Sequence, residues 1–249
     1  MTILCYHAVD PSWESPLALR PEEFAAQCIW LARHRTVVPL EVAIARMTPQ
    51  GRLPRGMVAL TFDDGLQQLS DHVFPVLERH RLPATVFLVA ATLTADGQAV
   101  DWVDSPPVWP LKTLGVDHVL EARDQGFAFA SHSWSHRTLP DLTQQECRQD
   151  LTDSRELLED LLRQPVRYLA YPRGQHDAMV RAAARRAGYT NGLALPEGPE
   201  EPGPYAVPRA GVFPGNGTAV LRAKTSRHYQ VLRQSRAYPW VRATLRRSS

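Results

Sequence analysis

Short apolar runs alternate with longer amphipathic stretches along most of this chain, and that alternation constrains its fold more than any other feature. The pattern predicts strands at Thr2–Cys5, Met57–Phe62, Ala84–Val89, Phe127–Ser131, Arg167–Tyr171 and Asn191–Leu195, most of them bounded by Gly, Pro or charged turns. Helices are predicted between them. Pro21–His34 opens on Pro21 with Glu22 and Glu23 in its first turn. In Leu69–His80, Pro75 marks either a kink or a new first turn. Thr143–Leu162 carries Thr143 with Glu146 three residues on, the pattern of a capping box. His176–Ala187 has Asp177 as its cap and Gly188 as its stop. Strand–helix alternation implies a mainly parallel sheet with helices outside. No Gly-x-Gly-x-x-Gly turn accompanies it, which favours a closed barrel over an open dinucleotide-binding sheet. With 249 residues, 44% of them hydrophobic, the chain suits one such barrel with a full core.

In barrels of this kind the chemistry gathers at the C-terminal ends of the strands, which here means just after Leu60, Ala130 and Ala170. Thr61-Phe62-Asp63-Asp64-Gly65 follows the first of these. Two adjacent carboxylates repel unless a cation or a base role rewards them, although an Asx-type turn opening the next helix is equally open on these residues alone. Ser131-His132-Ser133-Trp134-Ser135-His136 follows the second. A His-x-x-x-His spacing puts two imidazoles on one face if the segment turns helically, and imidazole nitrogens suit zinc and similar metals. A pair of unrelated surface histidines is the alternative. Taken together, two His and one Asp make a three-ligand set that leaves positions open for water and substrate. Tyr168-Leu169-Ala170-Tyr171-Pro172-Arg173-Gly174, after the third strand, is shaped by Pro and Gly into a tight loop.

On these motifs the chain resembles the polysaccharide deacetylase, or NodB-homology, family. Asp63-Asp64 matches the family's first motif and His132-Ser133-Trp134-Ser135-His136 its second, with supporting similarity from Leu4-Cys5-Tyr6-His7 through Pro83-Ala84-Thr85-Val86-Phe87 to about Phe213. The resemblance implies a deformed (β/α)7 barrel, a general base at Asp63, and a divalent metal on Asp64, His132 and His136. Zn2+ heads the expected ions, with Co2+, Ni2+, Mn2+ and Fe2+ also compatible. It further implies removal of acetyl groups from N-acetylated sugars. The family's third motif, Arg-x-Pro-Tyr, is altered: Pro172 aligns with its proline, Ala170 replaces the arginine that normally pairs with the base, and Arg173 replaces the aromatic residue. Arg209, in Tyr205-Ala206-Val207-Pro208-Arg209, is the best substitute for that arginine. No C-terminal Leu-x-His motif is evident, and His228 is a poor match to its histidine. Leu4-Cys5-Tyr6-His7 instead resembles an exopolysaccharide deacetylase branch in which a histidine of the first strand enters the site, so His7 is the expected acid. Trp134 with Pro172 and Arg173 is expected to wall the sugar site, the backbone N–H of Arg173 to face the oxyanion, and Asp101-Trp102 is a weaker match to a family Asp-Trp motif.

The remaining expectations concern the surroundings. A net charge of +2 is too mild to argue for nucleic acid by itself, and no nucleic-acid partner is expected. Three cysteines, Cys5, Cys28 and Cys147, have no metal-type spacing and read as buried thiols. The first residues, MTILCYHAVD, lack a signal-peptide pattern and the chain lacks a run of about 20 apolar residues, so a cytoplasmic location is expected. The barrel is expected to span residues 1–220, with 221–249 a basic extension. That extension carries Arg222, Lys224, Arg227, Arg233, Arg236, Arg242, Arg246 and Arg247 with no acidic residue, a composition suited to contact with anionic lipid. Hydrolysis of another small amide and a decayed sugar-binding module are the competing functions.

Overall fold

The computed structural model describes residues 2–196, 200–233 and 235. In chain order the elements are β1 (Thr2–Tyr6), β2 (Ala8–Val9), β3 (Ala18–Leu19), α1 (Pro21–His34), β4 (Thr36–Val37), α2 (Leu40–Ala45), β5 (Met57–Phe62), α3 (Gln68–His72), α4 (Phe74–His80), β6 (Ala84–Leu88), α5 (Val116–Asp124), β7 (Ala128–Ser131), α6 (Gln144–Leu162), β8 (Tyr168–Ala170), α7 (Ala178–Arg186), β9 (Asn191–Ala194), β10 (Val207–Gly211), α8 (Thr218–Lys224) and α9 (Arg227–Arg233). β1, β10, β9, β8, β7, β6 and β5 pair in that order, all in parallel, and β5 pairs again with β1 from Thr2↔Val58 to Tyr6↔Phe62. The sheet therefore closes into a seven-stranded parallel barrel, as expected. β4 joins the start of β5 through Thr36↔Met57, and β2 and β3 form a separate pair.

The period-two alternation of each strand sorts side chains between two cores. Ile3, Ala59, Phe87, Ala130, Ala170, Leu193 and Val207, one from each barrel strand, form one buried cluster. Their neighbours Leu4, Tyr6, Leu60, Phe62 and Leu169 join the larger cluster beneath the helices, with Phe24 and Leu31 of α1 and Leu151 and Leu158 of α6. Tyr6 stacks on Phe62 at 5.2 Å, and both meet Phe24 edge-on, which binds β1, β5 and α1 together. Two residues further along the inward faces come Cys5, Thr61 and Arg209, and next His7 and Asp63. The polar residues of the site thus continue the inward rows that begin as apolar core.

Several local expectations change. The helix predicted over 69–80 is two, because Pro75 opens α4 as a fresh first turn. α6 has the expected capping box: Thr143 Oγ1 accepts from the Glu146 N–H, and Glu146 accepts from the Thr143 N–H. α7 begins where Asp177 Oδ1 accepts from the Val180 N–H at 2.8 Å. No strand is predicted over Val207–Gly211, which forms β10. α8 runs across the expected boundary at residue 220, and its Leu221 is buried in the larger core. The basic extension beyond residue 235 lies outside the described residues. Among the described residues no helix is long and apolar enough to cross a membrane.

Candidate active site

The C-terminal end of β5 delivers two carboxylates in different directions. Asp63 continues the inward row, its N–H bonded to the Tyr6 carbonyl at 2.9 Å. Asp64 then turns left-handed, with φ of 68°, and Gly65 follows at 61°. A Cβ on Gly65 would lie 2.6 Å from a Leu88 methyl, so glycine suits this left-handed turn best. The regular pleat breaks here, so the two acids reach different partners.

Asp63 meets Arg209. Nη1 of Arg209 donates to Oδ1 at 2.6 Å and Nη2 to Oδ2 at 2.8 Å, a two-point fork in which both residues are buried. Arg209 comes from β10, where it pairs in register with Ile3 of β1, and its guanidinium lies over the Phe87 ring at 5.4 Å. It thus supplies from the last barrel strand the cation that Ala170 cannot. Burial pushes the Asp63 carboxyl up, but the charge and hydrogen bonds of Arg209 outweigh it and hold the group well below the usual carboxylate range. The Cys5 thiol donates to Asp63 Oδ2 at 3.3 Å, and burial holds that thiol protonated.

Asp64 meets the two histidines. Its Oδ1 lies 3.5 Å from His132 Nε2 and 3.2 Å from His136 Nε2, and all three residues are buried. A helical turn would have put both imidazoles on one face. The structure instead uses two left-handed residues, Ser133 at φ 69° and His136 at φ 56°, to fold the segment. Burial pushes Asp64 up, but His136, with His7 and His132 close by, brings it down to about 2.

Whether these residues fit a metal is decided by His132. Its Nδ1 bonds the Ala170 carbonyl at 2.8 Å, so Nδ1 carries the hydrogen and Nε2 presents a lone pair to the Asp64 carboxylate. Burial pushes His132 down to about 4, against the attraction of Asp63 and Asp64, so it is neutral near pH 7. A lone pair facing a carboxylate oxygen is unfavourable unless a cation lies between them. Asp64, His132 and His136 offer donor atoms all within 4.8 Å of one another, a nitrogen and oxygen set suited to Zn2+ and its neighbours. Cys5, His7 and Asp63 form a second such group. Asp63 there is already committed through both oxygens to Arg209 and the thiol is protonated, so this group is a poor cradle for a cation.

A cavity of about 180 Å³ opens over the site, lined by His7, Asp63, Asp64, His132, His136 and Arg173, with Leu17, Trp102 and Leu195 among its apolar walls. His7 is half-buried, and its Nδ1 is buried without a hydrogen-bond partner. Arg173 is left-handed at φ 57° between Pro172 and Gly174, and a Cβ on Gly174 would lie 2.6 Å from Leu195 Cβ. Its Nη2 donates to the Trp102 carbonyl at 3.0 Å. Two of the residues expected to wall the sugar site do not line this cavity. Trp134 packs against the larger core and does not line the cavity. Pro172 is buried and also does not line it, serving to open the turn that carries Arg173. Trp102 takes the wall position instead: its ring stacks on His136 at 4.8 Å and its Nε1 donates to Asp64 Oδ1 at 3.2 Å. Asp101 beside it is exposed.

A family model described as polysaccharide deacetylase matches residues 50–192. The Bacillus subtilis protein YxkH, assigned by its name to the polysaccharide deacetylases, is 27% identical over 226 residues, covering 86% of this chain and 72% of YxkH. The poly-beta-1,6-N-acetyl-D-glucosamine N-deacetylase of Staphylococcus epidermidis is 26% identical over 199 residues, covering 76% of this chain and 65% of that protein. Among solved structures, the Streptococcus pyogenes deacetylase PplD in complex with acetate superposes with a TM-score of 0.76 at 23% identity, covering 91% of this chain and 98% of PplD. IcaB from Ammonifex degensii gives 0.74 at 22% identity, covering 90% and 97%. These structures share the fold. The sequence match, which spans more than half of the chain and includes both aspartates and both histidines, places this chain in the polysaccharide deacetylase family.

Proposed function

We propose that the chain is a metal-dependent N-deacetylase acting on a glycan or lipid-linked sugar that contains N-acetylhexosamine. The observation that carries this reading is the neutral His132 lone pair turned toward the Asp64 carboxylate, with His136 beside it and a separate, ionised Asp63 on the same cavity. Asp64, His132 and His136 would hold the cation. When bound, a divalent ion polarises an acetamide carbonyl and lowers the pKa of a water molecule.

The other roles fall to side chains of the barrel. Asp63 is the general base. The fork from Arg209 keeps it ionised and fixes its plane, so it is always ready to accept a proton from water. Its weak basicity is matched to a water that is already acidified. His7, on the inward row of β1 next to Cys5, donates a proton to the leaving amine. The N–H of Arg173 faces the developing oxyanion, and Trp102 rather than Trp134 borders the sugar. The feature that favoured a decayed binding module, the missing arginine of the third motif, loses its force because Arg209 occupies the same role from β10. A hydrolase of a different small amide remains the second reading, since Arg173 replaces the aromatic residue at the cavity wall.

Elemental analysis of the purified protein, alongside acetate release from a panel of N-acetylhexosamine oligomers and small amides, tests this. About one divalent ion per chain and metal-dependent acetate release from the sugars are expected. Full activity after metal stripping would sink the metal role, and turnover of the small amides alone would favour the second reading.

A further inference from the structure

We propose that Asp150, on α6 and outside the cavity, is a positioning residue that holds His132 and His136 in the geometry a divalent cation needs; this rests on the metal reading above. The buried stripe of α6 runs Cys147, Asp150, Leu151, Ser154, Leu158, Leu162. Two polar side chains interrupt what periodicity would fill with apolar ones. A buried carboxylate is tolerated only where hydrogen bonds replace its water. Both of Asp150's oxygens are spent on the segment between the histidines. Oδ1 accepts from the Trp134 N–H at 2.8 Å and Oδ2 from the Ser135 hydroxyl at 2.9 Å.

One turn on, Ser154 continues the same contact. Its hydroxyl bonds Ser131 Oγ at 2.7 Å, Ser131 Oγ accepts from the Ser133 N–H at 3.1 Å, and Ser133 Oγ accepts from the His136 N–H at 3.1 Å. The opposite side of the segment is stitched to the end of β6. The His132 N–H donates to the Leu88 carbonyl, and the N–H groups of Ala90 and Ala91 donate to the Ser133 and Trp134 carbonyls. The segment between these two supports holds Ser133 and His136 in left-handed conformations that residues with a Cβ adopt at an energetic cost. Such conformations persist only where the surroundings over-determine them. Asp150 touches neither imidazole and does not line the cavity, so it acts through the backbone of the segment.

Cobalt binding separates this role from general support of the fold. The wild-type chain, Asp150→Ala, Asp150→Asn, Ser135→Ala and the exposed α6 control Glu156→Ala would be stripped of metal and titrated with Co2+, reading affinity and the visible d–d spectrum. Asp150→Ala is expected to bind Co2+ about 10–100-fold more weakly, with an altered spectrum, as loss of an outer support does at metal sites. Asp150→Asn keeps an acceptor for Trp134, and the Ser135 hydroxyl can turn to accept from its amide, so it should recover most of that loss. Glu156→Ala should bind as wild type does. Should Asp150→Ala fail to fold, Ser135→Ala, which removes one of the two bonds, carries the test with a loss of several-fold. A folded Asp150→Ala that binds Co2+ with wild-type affinity and spectrum, or Ser135→Ala doing so where Asp150→Ala does not fold, would overturn the assignment. A wild-type chain that binds no Co2+ would instead overturn the metal reading, and this assignment with it.

Discussion

Arg209 and Asp63 lie 146 residues apart in the chain, yet the guanidinium grips the carboxylate at two points, 2.6 and 2.8 Å, inside the barrel. Thr61 Oγ1 at 3.3 Å is the only other acceptor bonded to Nη1 among the described residues. Arg209→Met should therefore lose about 3–5 kcal/mol of stability, because it strands a buried carboxylate. Asp63→Asn/Arg209→Met should be more stable than Arg209→Met alone, since it removes both charges. Chemical denaturation of the singles and the double checks the order. A single variant as stable as the parent would mean that the pair is solvated.

Asp63→Asn keeps the shape of the side chain and removes its basicity. Acetate release should fall by about 10²–10⁴-fold, the usual range for a general base, while the metal content stays unchanged. His7→Gln should also slow turnover. It should act most on substrates with poor leaving amines and least on an activated ester, whose leaving group needs no proton. Equal losses on both substrates would remove His7 from the acid role.

How much of this was legible in the sequence follows the physics of each element. The strands that carry Asp63, His132 and Arg173 stand out because buried parallel strands are continuous apolar runs, and the site follows at their ends by the logic of the fold. The cap of α6 is legible because Thr143 and Glu146 act within one turn. β10 is not, because Pro208 and Gly211 make it read as loop, and Pro removes a ladder donor. Its pairing with β1 and β9 is a non-local event that no window contains. The hand of the turn between His132 and His136 is equally hidden, since neither Ser133 nor His136 announces a positive φ. Trp102 lies in a long irregular segment between β6 and α5, where no periodicity assigns a side chain to a face, and its only signal was the weak match of Asp101-Trp102 to the family's Asp-Trp motif. Asp150 was visible only as a polar residue in an apolar stripe.

The placing of Trp102 rather than Trp134 at the sugar has its own test. Trp102→Phe keeps a ring to stack on His136 but loses the bond to Asp64 Oδ1, so it should lower kcat/KM about tenfold or more, with little effect on folding. Trp134→Phe should leave kcat/KM within a few-fold and lower thermal stability, because its ring packs on the core. Steady-state kinetics with thermal melts separates the two. The opposite pattern would restore Trp134 to the sugar wall.

The metal-free protein should be most stable from about pH 6.5 to 9, and the reason lies in which groups the fold keeps neutral or charged. Burial holds His132 at about 4 in place of its ordinary 6.5, so the unfolded chain binds a proton there more readily than the folded one. Its contribution is complete above 6.5 and is lost as the pH falls toward 4, on the order of 3 kcal/mol. Asp64, at about 2 in place of 3.8, is present above 3.8 and lost below it. On the alkaline side burial raises the Cys28 thiol from 9.0 to about 12 and Cys147 to about 11, so stability is present below 9.0 and lost as pH rises through those values. Urea midpoints across pH should trace this plateau. A divalent ion at a hundredfold excess over its Kd should raise it by about 2.7 kcal/mol at neutral pH. That gain should fade below about pH 4, where His132 takes a proton in place of the ion. In His132→Gln the slope between pH 6.5 and 4 should flatten and the metal gain should vanish together, because one nitrogen is responsible for both.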